Sequence, residues 1–292
     1  MKPPRFDYHA PATVDEAVAL LGRYGGEAKV LAGGQSLMPL LNFRLLRPAA
    51  LVDLNGIAGL ADIREDGGFV RLGAMTRQRT IEFSPVVKRR LPLLAEATTL
   101  VGHLPIRTRG TIGGSLAHAD PSAEYPAVLV ALDGSVRVRG PRGERRLGAT
   151  ELFQSYLTTG LGADEIAVEV ELPAMPPGTG FAFEEFSRRH GDFAIVGIAC
   201  ALSGEDGRCT AARLAAAGAG PVPIRLRAAE EIVERDGLGD AAIDAAAARA
   251  AELVAPDDDL HATAAYRTHL TRVLTACALR RALARMGGRS RA

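Results

Sequence analysis

Behind Thr13-Val14-Asp15-Glu16, the apolar side chains Ala17, Leu20, Leu21 and Tyr24 recur at helical spacing. The four leading residues form a capping box, with the Thr13 hydroxyl placed to accept from the Glu16 N–H, and Gly25-Gly26 stops the helix. An apolar strand over 28–31 follows, then a helix or irregular turn over 36–46 interrupted by Pro39, then a strand over 50–54. This βαβ-like opening puts residues 32–36 at a strand end, a common location for ligand contacts in α/β structure.

Further along, 69–74 reads as a strand after the turn Asp66-Gly67-Gly68, and Thr76 caps a short polar helix. Ser84-Pro85 starts another helix, which carries Val86, Val87, Leu91, Leu94 and Ala95 towards Leu100 and bends or breaks at Pro92. Residues 101–110 read as a loop, 127–132 as an apolar helix ended by Asp133-Gly134, and 135–139 with 145–147 as a hairpin around Pro141-Arg142-Gly143. A short helix is predicted over 151–157. Residues 165–172 alternate strictly, as a half-buried strand should, with Ile166, Val168, Val170 and Leu172 on one face and Ala167, Glu169 and Glu171 on the other.

Pro173-Ala174-Met175-Pro176-Pro177-Gly178 is the strongest linker signal and marks a domain boundary. Beyond it, 181–187, 193–202 and 209–217 read as strands, the second ending in the polar turn 203–207. Helices are predicted over 224–235, 241–254 and 263–286, the last with Leu270, Val273, Leu274, Cys277 and Leu283 on one face and arginines opposite. The pattern is that of an α+β protein in two parts.

Length supports that division, since 292 residues, 47% of them hydrophobic, suffice for two domains. Thirty-five basic residues against 34 acidic ones leave a net charge of +1, which provides no broad footprint for nucleic acid or an anionic membrane. The first ten residues lack the apolar segment of a signal peptide and no apolar run approaches membrane-spanning length, so the expected location is the cytoplasm. Cys200, Cys209 and Cys277 are too few and too scattered for a disulfide framework or a zinc or iron–sulfur ligand set. If such clusters matter, another chain holds them.

The candidate chemistry lies in two paired-glycine segments, Ala32-Gly33-Gly34-Gln35-Ser36 and Thr111-Ile112-Gly113-Gly114-Ser115. Paired glycines let a diphosphate approach the main chain and permit positive φ angles that aim successive N–H groups at an anion, while the serines add donors. Neither G-x-G-x-x-G nor the P-loop pattern occurs. Arg107 and Arg109 are either solvated loop charges or edge contacts to the diphosphate, and Asp120 and Ser122 either plain caps or site residues. A catalytic role for His103 or His190 is disfavoured, because a lone loop histidine is more often exposed or hydrogen-bonded.

Extended to Ala32–Pro39 and Arg109–Ser115, these segments resemble the two FAD loops of the flavoprotein (medium) subunits of molybdenum hydroxylases. The nearest branch is the carbon monoxide dehydrogenase medium-subunit type within the xanthine dehydrogenase family. Residues 263–270 resemble the same family's C-terminal domain. The resemblance implies a two-lobed FAD-binding domain of the PCMH/vanillyl-alcohol-oxidase type over residues 1–175, with lobes of about 1–55 and 56–175, and a carbon monoxide dehydrogenase flavoprotein C-terminal domain over 178–287. It also implies that Gly33, Gly34, Ser36, Thr111, Gly113, Gly114 and Ser115 hold the diphosphate, with Ala32, Gln35 and Ile112 completing the loops. Glu124 stands where the family often has Asp facing the ribose or ribityl region. Phe193 stands where a Tyr commonly lies beside the flavin ring, though from the residues alone it is equally a core phenylalanine.

The function so implied is electron transfer from the [2Fe–2S] clusters of a small partner subunit through FAD to an external acceptor. A large molybdopterin subunit completes a heterotrimer, two of which form the assembly. Two alternatives stay open on sequence: a scaffold subunit without a redox step, and a stand-alone FAD oxidoreductase.

Overall fold

The computed structural model describes residues 2–205 and 208–286. Asp206 and Gly207 of the expected 203–207 turn, and Gly287 at the end of the expected C-terminal domain, lie outside the described residues.

The chain opens with β1 (Asp7–His9), α1 (Val14–Tyr24), β2 (Ala28–Leu31), α2 (Leu37–Asn42) and β3 (Ala50–Asp53), whose strands form a parallel sheet in the order β1-β3-β2. Thr13 caps α1, accepting from the Glu16 N–H at 3.2 Å, and Glu16 returns the favour to the Ala12 N–H at 2.8 Å. Gly25, left-handed at φ 55°, ends the helix. Three-residue β1 has no alternation to betray it and exists because it pairs with β3, Asp7 against Ala50. Pro39 sits in the first turn of α2, where its missing N–H costs nothing.

The second lobe frames six helices between β4 (Ile63–Asp66), β5 (Phe69–Gly73) and the later strands. The helices are α3 (Gln78–Phe83), α4 (Pro85–Arg90), α5 (Pro92–Leu100), α6 (Leu104–Arg109), α7 (Ile112–His118) and α8 (Glu124–Ala131). Then come β6 (Ser135–Gly140), β7 (Gly143–Gly148), α9 (Ala149–Leu152), β8 (Phe153–Ser155), β9 (Thr158–Thr159) and β10 (Ile166–Pro173). A five-stranded antiparallel sheet runs β4-β5-β10-β6-β7, beside the small pair β8-β9. Pro92 breaks the long helix cleanly, Leu91 being non-helical between α4 and α5.

Three expectations need correction here. Residues 104–109 are helical rather than looped, because Pro105 near the helix start is tolerated and extended His103 serves as the N-cap. The helix expected over 151–157 stops at Leu152. There Leu157 takes φ 50° and the β-branched Thr158-Thr159 pair turns back onto Phe153 and Ser155. Strand β10 does not keep one apolar face. A bulge between Ala167 and Glu169 gives Ile166 and Val168 to the first lobe's core and Val170 and Leu172 to the second, and it buries Glu169 between Arg64 and Arg137.

The C-terminal part comprises β11 (Gly180–Phe186), β12 (Val196–Glu205), β13 (Arg208–Ala217), β14 (Ile224–Arg225), α10 (Arg227–Asp236), α11 (Asp240–Glu252) and α12 (Ala264–Arg285). Its antiparallel sheet runs β11-β12-β13-β14. Ile224 and Arg225, expected in a helix, pair with β13 instead, and β12 begins at Val196 rather than at Phe193. Helix α12 buries Arg267, Leu270, Thr271, Thr275, Ala278, Leu279 and Ala282, a face rotated from the expected one, leaving Val273 and Cys277 exposed. The small residues on that face let the sheet approach closely: a Cβ on Gly180 would collide with the Ala282 carbonyl.

Two faces of this sheet serve two cores. Ile198, Cys200, Leu214 and Ala216 pack with α10–α12, while Phe183, Ala199, Ala201, Ala215 and Ala217 join the core of the second lobe. Every residue of α8 is buried, and this alanine-rich face receives it. The seam between the two parts is therefore a packed surface, crossed also by the Arg225–Asp133 pair at 2.8 Å and the Arg285–Glu96 pair at 2.7 Å.

Candidate functional site

The first glycine segment leaves β2 at Leu31. Gly34 takes φ 73°, a left-handed turn that glycine makes without strain. Among the described residues, no hydrogen bond takes up the N–H groups of Gly33, Gly34, Gln35, Ser36 or Leu37. The Gln35 side chain folds back to donate to the Gly33 carbonyl at 3.0 Å. Ser36 occupies the N-cap position of α2 but makes no cap bond, so its hydroxyl is free.

The second segment is the first turn of a helix rather than a loop. Thr111 is the N-cap of α7, and its hydroxyl accepts from the Gly114 N–H at 3.1 Å. The Ile112 N–H donates to Thr76, that of Gly113 to Ala74 at 2.9 Å, and that of Ser115 to the Thr111 carbonyl. The main-chain N–H groups from Ile112 to Ser115 are thus committed within the protein. Ile112 is a core residue, and a Cβ on Gly113 would lie 2.6 Å from the Ala74 carbonyl oxygen, so these two anchor the helix to the end of β5.

The two segments meet. A Cβ on Gly33 would collide with the Arg109 carbonyl and lie 2.7 Å from the Gly110 Cα, and one on Gly114 would lie 3.4 Å from the Ala32 Cβ. A polar strip secures the junction. Asn55 donates to the Ala32 carbonyl at 3.0 Å, Arg77 bridges the Asn55 side chain and the Arg109 carbonyl, and Asp53 accepts from Tyr8 and from the Asn55 N–H. Burial pushes the Asp53 carboxyl up, but the Tyr8 and Asn55 donors outweigh it and hold the group below the usual carboxylate range. Burial, then the charge of Arg109, lowers the Arg77 pKa. Sequence reasoning passed over Tyr8, Asp53, Asn55 and Arg77; only the position of Asp53 and Asn55 at the end of a strand hinted at them. Arg107 is structural, its guanidinium held by Glu82 and the Val101 and Gly102 carbonyls, whereas Arg109 stays exposed.

This junction has features that suit a diphosphate: unclaimed main-chain donors over residues 33–37 and the free Ser36 hydroxyl. Residues 4–175 match the family model described as the FAD binding domain in molybdopterin dehydrogenase, and residues 181–282 match that of the CO dehydrogenase flavoprotein C-terminal domain. The chain belongs to this molybdopterin dehydrogenase flavoprotein family.

Its relatives agree over their full length. The chain is 44% identical to the 6-hydroxypseudooxynicotine dehydrogenase complex subunit alpha of Paenarthrobacter nicotinovorans, covering 98% of this chain and 97% of the relative. It is 39% identical to the carbon monoxide dehydrogenase medium chain of Hydrogenophaga pseudoflava, covering 98% and 99%. A solved structure of carbon monoxide dehydrogenase from that organism, lacking the Mo-pyranopterin moiety of the molybdenum cofactor, superimposes with a TM-score of 0.96 at 41% identity, over 98% of this chain and 100% of that one.

In a flavoprotein of this family the cofactor is FAD, and the junction suits its diphosphate. The remaining predicted residues lie where the C-terminal part meets the second lobe. Glu124, the first residue of α8, is only 7% exposed. Burial, and then the charge of Glu185, push its carboxyl up to about 8. Asp120 accepts from the Ser122 N–H at 2.9 Å, and the Gly218 N–H donates to the Pro121 carbonyl across the seam. Phe193 is 65% exposed in the turn before β12, so it is not a core phenylalanine. In the same turn Gly191, at φ 84°, has its missing Cβ against the His103 ring, and the His103 and His190 centroids stand 6.5 Å apart.

Proposed function

We propose that this chain is the FAD subunit of a multi-subunit molybdenum hydroxylase. It receives electrons from [2Fe–2S] clusters on a small partner and passes them to an external acceptor, while a large molybdopterin-bearing partner transforms the substrate. The whole-length match to both flavoprotein models is the observation that carries this reading. FAD, when bound, supplies the one- and two-electron chemistry; the chain binds and orients it.

In this reading Gly33, Gly34 and Ser36 present N–H and hydroxyl donors to the diphosphate, with Ala32 and Gln35 shaping the segment around them. Thr111, Ile112, Gly113, Gly114 and Ser115 form the opposing wall. Glu124 holds the ribose or ribityl region, and Phe193 covers the ring without the hydroxyl a tyrosine would bring. The FAD domain is taken as 1–175, with lobes of about 1–55 and 56–175, and the C-terminal domain as 178–287. The complex is taken as a cytoplasmic dimer of heterotrimers. No helix among the described residues is long and apolar enough to cross a membrane. A scaffold role or a stand-alone oxidoreductase is not favoured, since relatives are named as subunits of dehydrogenase or hydroxylase complexes.

The test is an ultraviolet–visible spectrum of the purified chain, with chromatography of the cofactor released by heat. FAD near equimolar with protein is expected. No flavin after incubation with FAD, in the chain alone or co-expressed with its partners, would overturn the assignment.

A further inference from the structure

The carbonyl and the N–H of a trans peptide point to opposite sides within one plane. Whatever holds the Ala32 carbonyl therefore aims the Gly33 N–H, the first of the unclaimed donors, the other way. That holder is Asn55, just beyond β3, whose amide nitrogen donates to the Ala32 carbonyl at 3.0 Å and also to Asp53. With its nitrogen so committed, the amide turns its oxygen to Arg77, which donates to it.

Arg77 belongs to the second lobe. It is the extended N-cap of α3 and is bridged to Thr111, while the next N–H, that of Gln78, donates to the Gly110 carbonyl at 2.9 Å. The second terminal nitrogen of Arg77 donates to the Arg109 carbonyl, the same oxygen that a Cβ on Gly33 would strike. One guanidinium thus spans from the first lobe's Asn55 to the main chain against which Gly33 packs.

Both acceptors of Arg77 are neutral. Nearby Arg79 and Arg107 pair with Glu82, whereas neither Arg77 nor Arg109 pairs with a carboxylate among the described residues. Asp53, whose charge acts on both, is spent on hydrogen bonds from Tyr8 and Asn55. Two guanidinium groups against one carboxylate leave the junction with a net positive charge, which attracts an anion.

We propose that Asn55 and Arg77 are positioning residues for FAD: Asn55 aims the Gly33 N–H at the diphosphate, and Arg77 locks Asn55 to the opposing segment while keeping its own positive charge available to the anion. This rests on the FAD reading above. Both residues hold main-chain carbonyls, so neither needs to touch the cofactor.

The test is FAD titration of the full chain followed by flavin fluorescence, at low and at high salt, with urea unfolding of the FAD-free chain alongside. Asn55→Ala takes the donor from the Ala32 carbonyl and the acceptor from Arg77, and FAD affinity is expected to fall about tenfold. Arg77→Lys keeps the charge but cannot span both acceptors, and Arg77→Gln removes the charge; each is expected to weaken FAD by about tenfold. The former keeps the wild-type salt dependence and the latter makes it shallower. In the double variant the Asn55→Ala and Arg77→Lys losses are expected to be less than additive, because both break one bridge. FAD affinity within about twofold of wild type in Asn55→Ala and Arg77→Gln, even with lowered urea stability, would reduce the bridge to a strut between lobes. That outcome would overturn the proposal while leaving the FAD site standing. Equal salt dependence in wild type and Arg77→Gln would overturn the role of the charge, and no FAD binding by wild type at either salt would overturn both the proposal and the FAD reading.

Discussion

The two glycine segments look alike in sequence and work differently in the structure. In Gly33-Gly34 the glycines free the main chain: one turns left-handed, and five successive N–H groups have no partner among the described residues. In Gly113-Gly114 the glycines serve close packing, and the N–H groups from Ile112 to Ser115 are satisfied by Thr76, Ala74 and Thr111. The first segment therefore leaves its main-chain donors unclaimed, while the second spends its own on fixing α7. A paired glycine is a permission, and what it permits depends on which carbonyls the rest of the fold brings within reach.

The largest test of this division is Gly33→Val. Its side chain meets the Arg109 carbonyl and Gly110 backbone, where the two segments touch main chain to main chain. FAD binding is expected to vanish, with stability lowered by about 1–3 kcal/mol, read by flavin absorbance and urea unfolding. Gly114→Val is expected to give soluble protein without flavin, because its side chain enters the junction of the two segments between Thr111 and Ala32. Full FAD retention in that variant would remove the second segment from the site. Gly113→Ala separates the roles: a cost of about 1–3 kcal/mol from the clash with Ala74, with FAD affinity in the surviving folded protein close to wild type.

The sequence made local features legible and hid those that depend on distant neighbours. The Thr13 box, the Pro92 break and the glycine segments rest on residues a few positions apart, and each stands where the pattern put it. The Gly114 N–H partner was also local, since Thr111 three residues earlier is in a capping position. The Tyr8–Asp53–Asn55–Arg77 strip joins four separate stretches and has no signature in any one of them. The bulge in β10 left an alternating sequence intact while dividing its side chains between two cores.

Two smaller substitutions sharpen the contrast between the walls. Thr111→Ala deletes the cap of α7, and the Gly114 N–H loses its acceptor. The expected cost is about 1 kcal/mol of stability, and because that N–H is then free to meet the diphosphate, FAD affinity should fall by less than stability does.

Ser36→Ala is the converse and the smallest effect. Its hydroxyl makes no cap bond, so unfolding in urea should be unchanged, whereas the lost donor to the diphosphate should weaken FAD by about 0.5–1.5 kcal/mol. A Ser36→Ala variant that lost stability but kept its FAD affinity would reverse the assignment of the first segment, making it another packed wall and leaving the diphosphate without the donors that its five unclaimed N–H groups provide.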